Sequence, residues 1–231
     1  FTKTIKKHYY LSVSTKFSEK TLYDYQQNDL DTIFDYLDSA PTDTNLLYQL
    51  PTGGGKTVVF SEIAKRYIAT KGKKVVVLTH RIELSTQTSK MLEGFGVHNK
   101  IINSDVKSLE DQEDFSCFVA MVETLKNRLN DEKLDISDIG LVIVDEAHYN
   151  SFTKIFKFFD DSFILGVTAT PLSSNIKLPM YENYQELYVG ETIEHLIEHH
   201  YLASANMFSY NVGLTSLEVG ANGDYTVKSS E

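Results

Sequence analysis

A run of three glycines followed by lysine and threonine, at positions 53–57, is the feature that most constrains the fold of this chain. A short apolar run at 45–48 precedes it and predicts a buried strand, and residues 58–64 predict a helix. Because glycine has no Cβ, such a turn can bend sharply and direct several backbone N–H groups toward one point. The positive end of the helix dipole adds to the attraction for an anion. The sequence therefore predicts a phosphate-binding loop between a strand and a helix.

The residues of this loop suit a nucleoside triphosphate with Mg²⁺. Lys56 is placed to reach the β- and γ-phosphates, and the hydroxyl of Thr57 is placed to ligate Mg²⁺. The usual pattern has glycine where this chain has Leu50, but that glycine only shapes the turn. An ordinary loop is the alternative, and Gly-Lys-Thr at a strand–helix junction favours phosphate binding over it. The other predicted nucleotide contacts in the loop are Thr52, Gly53, Gly54 and Gly55.

A pair of acids follows the apolar run 141–144 and supplies what the loop lacks. Asp145 is expected at the tip of a strand beside the loop, where it can hold the water shell of Mg²⁺ opposite Thr57. Glu146 can orient or deprotonate the attacking water. Alone, an Asp-Glu pair after an apolar run is a common strand end with exposed charges. Together with the glycine loop it predicts phosphoryl-transfer chemistry, with Lys56, Asp145 and Glu146 as the catalytic residues.

The rest of the chain alternates apolar strands with helices. Further strands are predicted at 74–79, 101–102, 118–122 and 163–168, and helices at 22–37, 80–95 and 191–202. Strand signals become rare after Pro171. This alternation predicts an α/β fold whose parallel sheet has helices on both faces, with its site at the carboxyl ends of the strands.

Composition narrows the class of protein. Hydrophobic residues make up 42% of the 231, enough for a sizeable core, and no apolar run approaches the ~20 residues that span a bilayer. A single cysteine, Cys117, excludes an internal disulfide and a cysteine-based zinc cluster, which favours an intracellular location. The net charge of −10 argues against non-specific adhesion to nucleic acid, although a local basic groove remains compatible with it. Phe1 is not a start methionine, so residues of the natural chain are expected to precede it.

Three segments in order, TGGGKT at 52–57, DEAH at 145–148 and TATP at 168–171, resemble motifs I, II and III of the superfamily 2 helicases. The resemblance is strongest to the DEAH-signature type III restriction and RadD-like proteins. It implies a RecA-like (P-loop NTPase) motor domain over residues 21–205. Residues 1–20 are then an N-terminal arm or the remnant of a preceding region, and 206–231 are a linker toward a second RecA-like domain in cis.

The same resemblance assigns residues to contact with the nucleotide base and to the coupling of ATP with nucleic acid. Residues 22–26 resemble the adenine-reading segment of the family, whose glutamine is Gln26. Tyr23 stands where the family usually has arginine, and its ring can stack on a base. Thr168 and Thr170 resemble the residues that couple the state of ATP to nucleic-acid contact. His148 is expected to link motif II to motif III or to the second domain.

The resemblance also implies a nucleic-acid partner, with DNA favoured over RNA. Residues 79–84 with Gln87 are similar to motif Ia, and 122–125 occupy the place of motif Ib. His80, Arg81 and Thr124 are therefore expected on loops at the carboxyl edge, where they would contact the sugar-phosphate backbone. Such contacts position a strand without reading its sequence.

One further pattern suggests metal binding instead. Residues 195–199 match H-x-x-E-H, the inverted zinc-protease signature. Five-residue patterns match easily by chance, and only Glu218 and Glu231 follow as glutamate ligands. The favoured interpretation is an exposed helix face that carries both histidines, with Ile193, Leu196 and Ile197 packed inward.

The predicted function is therefore that of an ATP- and Mg²⁺-dependent helicase, represented by its N-terminal motor domain. The family supplies arginines from the second domain, so this piece alone is expected to bind nucleotide weakly and to hydrolyse ATP very slowly. The alternatives are a duplex translocase that does not separate strands, and a nucleic-acid-binding scaffold with a decayed ATPase. A GTPase would need Asn-Lys-x-Asp, and the nearest string, at 99–102, lacks the aspartate.

Overall fold

In the part of the chain that the structure describes, seven parallel strands form one sheet in the order β3-β4-β2-β5-β6-β1-β7. The computed structural model describes residues 21–41, 44–106, 108–131, 134, 136–149, 152–175, 177–205 and 208. The strands are β1 Leu46–Gln49, β2 Lys74–Thr79, β3 Asn99–Ile102, β4 Cys117–Met121, β5 Ile139–Asp145, β6 Phe163–Thr168 and β7 Glu186–Val189. The predicted α/β class is confirmed.

Helices cover both faces of the sheet. They are α1 Asp24–Ser39, α2 Lys56–Lys71, α3 Ile82–Gly94, α4 Val122–Asn130, α5 Thr153–Phe156 and α6 Ile193–Glu198. Strand β2 is buried along its whole length, with Val75 and Val77 in one hydrophobic cluster and Val76 and Leu78 in the other. A strand that is covered on both faces is apolar throughout, which explains why the central strands appear in the sequence as unbroken apolar runs.

The order of the strands corrects one expectation about the site. Strand β5, which ends at Asp145, does not lie beside β1 and its loop, because β6 pairs with both of them. The edge therefore runs from Thr79 at the end of β2, through Asp145 and Thr168, to Gln49 at the end of β1. Carboxyl ends of parallel strands share one edge, so all these termini point the same way.

The region after Pro171 differs most from prediction. Strand β7 was not predicted, because its four residues are mostly exposed and too few to show a period. Helix α6 covers 193–198 rather than 191–202, since Thr192 caps its start through its side chain and the backbone leaves the helix at His200, with φ 61°. Ile193 is 52% exposed, so its predicted inward packing was wrong, whereas Leu196 is fully buried.

Two further findings concern the borders of the chain. In the described part, every helix is too short or too polar to cross a bilayer. The predicted N-terminal arm at 1–20 and nearly all of the predicted linker at 206–231 lie outside the described residues.

Candidate active site

The glycine loop joins β1 to α2, and helix α2 begins at Lys56. Gly53 and Gly55 have φ of 86° and 84°, in the left-handed region that favours glycine. A Cβ on Gly54 would lie 2.9 Å from Cγ of Leu50, and one on Gly55 would collide with Nε2 of Gln26. Leu50, at the position where the pattern usually has glycine, is fully buried beneath the loop. The structure thus places a tight turn, with Lys56 and Thr57 opening a helix, where the sequence predicts it.

Helix α1 holds the loop from behind. Tyr25 Oη donates to the carbonyl of Gly54 at 2.7 Å, and Gln26 Nε2 donates to the same oxygen at 3.2 Å. The other end of the Gln26 amide accepts from the N–H of Tyr23 at 3.0 Å. Adenine reading by Gln26 stays a prediction, and its amide oxygen, which accepts one bond here, has a second lone pair for a donor on the base.

Aromatic rings gather beside this end of α1. Tyr23 is 53% exposed, and its ring centroid lies 4.8 Å from that of Tyr201. Tyr201 also packs on Tyr25 at 4.9 Å, and the neighbouring Leu202 would lie 2.7 Å from a Cβ on Gly53. The segment after α6 therefore lies against the glycine loop. Sequence reasoning missed Tyr201, because nothing near it in the chain links it to residues 23–25.

Asp145 ends β5 in a largely buried position. Burial and, to a lesser degree, the neighbouring Glu146 carboxylate raise the pKa of its carboxyl to about 6, against the opposing effect of the Lys56 ammonium. Lys56 and Asp145 therefore interact electrostatically, although β6 separates their strands. A cation bound here would favour the ionised carboxylate.

Glu146 begins the turn that follows β5, with φ of 52°. The turn is closed by Tyr149, whose N–H donates to the carbonyl of Glu146 at 3.0 Å. Ala147 anchors it to the next strand by donating to the carbonyl of Val167 at 3.0 Å. A left-handed conformation costs a residue with a Cβ roughly 1–2 kcal/mol, so these bonds hold Glu146 in a strained position.

His148 connects the acidic pair to the end of β6. Its Nδ1 lies 3.0 Å from Oγ1 of Thr168 and 3.3 Å from Oε2 of Glu146. Thr168 Oγ1 in turn accepts from the N–H of Thr170 at 3.2 Å. The structure therefore brings together the residues that the sequence assigns to coupling, and the role itself stays a prediction.

The predicted nucleic-acid contacts lie on the other half of the edge. His80 follows β2, the exposed Arg81 caps α3, and the half-buried Thr124 lies in the first turn of α4 rather than on a loop. A cavity of about 520 Å³ runs from Thr52 to His80 and Arg81 and has Glu146 in its wall. One space thus connects the glycine loop at Thr52, the acid Glu146 and two of the predicted strand contacts, His80 and Arg81.

The oxygen donors of the site fit Mg²⁺ rather than a softer metal. Thr57 offers a hydroxyl and Asp145 a carboxylate, and Mg²⁺ usually takes one or two protein oxygens together with waters and phosphates. No cluster of three or more His, Cys, Asp or Glu side chains in the described residues is arranged to hold a metal. His195 and His199 stack with ring centroids 3.9 Å apart, and Nδ1 of His199 bonds to the carbonyl of His195 at 3.0 Å.

Comparison with known proteins identifies relatives of this arrangement. Residues 19–173 match the family described as type III restriction enzyme, res subunit. A 51.5 kDa protein of a Lactococcus phage (isolate 7-9) is 34% identical over 188 residues, which cover 79% of this chain and 36% of that protein. The ATP-dependent DNA helicase MPH1 of Saccharomyces cerevisiae is 31% identical over 145 residues, or 56% of this chain and 14% of the helicase.

Among solved structures, a nuclease-deletion mutant of the Type ISP restriction-modification enzyme LlaGI, in complex with a DNA substrate mimic, has a similar fold. It aligns with a TM-score of 0.62 and 18% identity over 79% of this chain and 21% of its own. At that identity the likeness concerns the fold alone. The chain spans about a third of the phage relative and less of the others.

Proposed function

Because the chain belongs to the family of the type III restriction enzyme res subunit, we propose that it is the ATP-hydrolysing motor domain of a protein that moves along or unwinds DNA. The fold is that of a RecA-like helicase domain. The observation that carries the proposal is the cavity that joins the phosphate loop at Thr52, the acid Glu146 and the cation Arg81 on one sheet edge. A nucleotide and a strand could then act on each other through a single space.

Different residues of the chain are assigned to phosphate binding, Mg²⁺ binding and orientation of the attacking water. The loop N–H groups and the Lys56 ammonium bind the phosphates, and Thr57 with Asp145 would hold Mg²⁺. The ion, when bound, neutralises charge on the β- and γ-phosphates. Glu146 lies next in the chain to Asp145 and would orient the attacking water, while His148 lies between the Glu146 carboxylate and Thr168.

A second RecA-like domain is proposed as a partner in cis. Phosphoryl transfer in motors of this kind usually draws on an arginine supplied from outside the first domain, worth ~10³–10⁵ in rate. The phage relative is much longer than the aligned part, which leaves room for such a domain. These 231 residues alone should therefore bind nucleotide weakly and turn it over very slowly.

DNA is the nucleic acid that we favour over RNA. The similar yeast protein MPH1 is a DNA helicase, and the similar LlaGI enzyme was solved in complex with a DNA substrate mimic. Backbone contacts from His80, Arg81 and Thr124 would position the strand without reading its sequence. We propose action inside a cell, because the chain has a single cysteine, the free and fully buried Cys117, and no means of forming an internal disulfide.

The test is ATP turnover by the full-length protein with and without single-stranded DNA, single-stranded RNA and duplex DNA. We expect turnover to require Mg²⁺ and to rise most with DNA. A protein that neither hydrolyses ATP nor binds it would instead favour the decayed scaffold, and a preference for GTP would overturn the ATP assignment.

A duplex translocase is the second candidate, because the matched family and the LlaGI structure are both of restriction enzymes. Displacement of a labelled strand from a forked duplex measures unwinding, and displacement of a triplex-forming strand measures movement along an intact duplex. Triplex displacement without fork opening would assign the protein to the translocases.

A further inference from the structure

Tyr149 lies between the predicted strand contact and the acidic turn. Its ring centroid is 4.3 Å from that of His80, with the planes tilted by 33°. It is also 4.3 Å from that of His148, tilted by 37°. The side chain is 37% exposed and lines the cavity that Glu146 and Arg81 share. One ring thus touches a residue that follows β2 and a residue of the turn after β5.

The backbone of Tyr149 acts on Glu146 directly. Its N–H donates to the carbonyl of Glu146 at 3.0 Å and closes the turn in which Glu146 has a φ of 52°. The carbonyl of His148, between them, accepts from the N–H of Ser174 at 3.1 Å. Because the turn is strained, a shift of Tyr149 should alter the geometry of Glu146 more readily than it would in a relaxed turn.

The ring also governs the side chain of Glu146 through His148. Nδ1 of His148 lies 3.3 Å from Oε2 of Glu146, so the imidazole that Tyr149 packs against is also the one that lies against the carboxylate. A displaced ring would therefore move both the backbone and the side-chain support of the water-orienting group.

His80 is the side of this contact that can respond to a ligand. Its Nδ1 is buried and has no hydrogen-bond partner in the part of the chain that the structure describes. Ring packing on Tyr149 is therefore a main restraint on the imidazole. Adjacent Arg81 is exposed on the same cavity, so a phosphodiester drawn to its guanidinium would reach His80 as well.

We propose that Tyr149 is a positioning residue that transmits occupation of the His80–Arg81 edge by a nucleic-acid strand to Glu146. The inference rests on the proposed function, because it assigns a transmitting residue to that same site. A strand that moves His80 changes the packing of Tyr149, and Tyr149 then moves His148 and the turn. The contacts use the faces of the rings, so the aromatic ring is required and the hydroxyl is not.

The experiment compares ATP turnover of the full-length protein, with and without single-stranded DNA, for wild type, Tyr149→Ala, Tyr149→Phe and Tyr149→Leu. Coupling between two sites is typically worth a factor of about 5–150, so stimulation by DNA should fall about tenfold in the alanine and leucine variants. Tyr149→Phe should retain it. DNA affinity, measured by fluorescence anisotropy, should change less than about twofold, since His80 and Arg81 remain. Tyr181→Ala, which removes a 74% exposed ring outside this cavity, is the matched control.

Each outcome decides the question. Wild-type stimulation in Tyr149→Ala overturns the inference and leaves the proposed function intact. Equal loss in Tyr149→Phe overturns the role of the ring and points to the hydroxyl. Equal loss of DNA affinity and stimulation makes Tyr149 a strand contact rather than a transmitter. Wild type that is not stimulated at all overturns the proposed function, and the inference with it. If Tyr149→Ala does not fold by circular dichroism, Tyr149→Leu, which keeps apolar bulk, decides between these results.

Discussion

The glycine loop after β1 and the acidic turn after β5 lie at the same sheet edge and use the same unusual backbone region differently. In the loop, Gly53 and Gly55 have φ of 86° and 84°. In the turn, Glu146 has φ of 52° although it carries a full side chain. Glycine reaches this region without steric cost, whereas glutamate does so against roughly 1–2 kcal/mol.

The difference follows from which atoms are proposed to function at each place, namely backbone N–H groups in the loop and a side-chain carboxylate in the turn. In the proposed function the loop binds phosphate with backbone N–H groups, so glycine can replace residues with side chains there and the conformation is free of strain. In the proposed function the turn requires the carboxylate of Glu146, so glycine cannot replace this residue and other contacts must hold the strained conformation. Those contacts are the hydrogen bonds from Ala147 and Tyr149 and the approach of His148. The conformation of the loop thus depends on its glycines, whereas the conformation of the turn depends on contacts from neighbouring residues.

Replacement of the Glu146 carboxylate should have the largest effect, and that effect is on ATP turnover. Glu146→Gln removes the carboxylate but preserves the shape, so ATP turnover should fall by about 10²–10⁴, as expected for loss of a general base. Nucleotide binding should persist, because the loop is unchanged. Turnover by single-turnover phosphate release and binding by fluorescent nucleotide titration test the two halves. Normal turnover in this variant would move water activation to another residue.

Lys56→Ala is the corresponding change at the loop. Turnover should fall by about 10²–10³, as for loss of one preorganised charge on the transition state, and nucleotide binding should weaken as well. Glu146→Gln should therefore bind nucleotide without hydrolysing it, whereas Lys56→Ala should bind nucleotide weakly and hydrolyse it slowly. Lys65→Ala, on an exposed part of the same helix, is the control. Tight binding by Lys56→Ala would show that the loop amides suffice.

Asp145, the buried acid at the end of β5, should make the free energy of unfolding depend on pH. The pKa of Asp145 is about 6 in the folded chain against 3.8 unperturbed, mainly because of burial. As pH rises from about 4 to about 6, the unfolded state loses this proton first, so the free energy of unfolding should fall, by about 3 kcal/mol in total. Urea unfolding in EDTA across this range, for wild type and Asp145→Asn, measures it. The variant should lack this component, and equal pH slopes would refute the shift.

Adding a side chain to the loop should cost stability as well as binding. Gly55→Ala places a Cβ at a φ of 84° and against Nε2 of Gln26. We expect the free energy of unfolding to fall by about 1–3 kcal/mol. Gly96→Ala also has a positive φ, of 79°, but has no neighbour within 4 Å, so it isolates the conformational cost from the collision. Equal losses in both variants would show that the Gln26 contact yields freely.

The smallest effect is the removal of strain from the turn. Glu146→Gly should be about 1 kcal/mol more stable than Glu146→Ala, because only alanine pays for the left-handed conformation. Both variants lack the carboxylate and should be equally inactive. Chemical denaturation of the two proteins side by side measures the difference. A more stable alanine variant would mean that the turn relaxes once the carboxylate is gone.

The sequence alone determined the elements that depend on local pattern. The central strands were predictable because both of their faces are buried, and the loop because glycines followed by Lys56 and Thr57 have few other uses. The acids Asp145 and Glu146 were predictable because they end such a strand. Strand β7 was not, because an exposed four-residue edge strand has little pattern of its own.

Only the tertiary structure decided which of these elements meet. The order of parallel strands depends on how the crossover connections pack, and that placed β6 between the loop and the acids. Contacts between distant residues leave no periodic signal, so the packing of Tyr149 on His80 and of Tyr201 on Tyr23 was invisible in the chain. The sequence fixes chemistry through residue types at short spacing, while packing between remote segments decides which groups can act on one another.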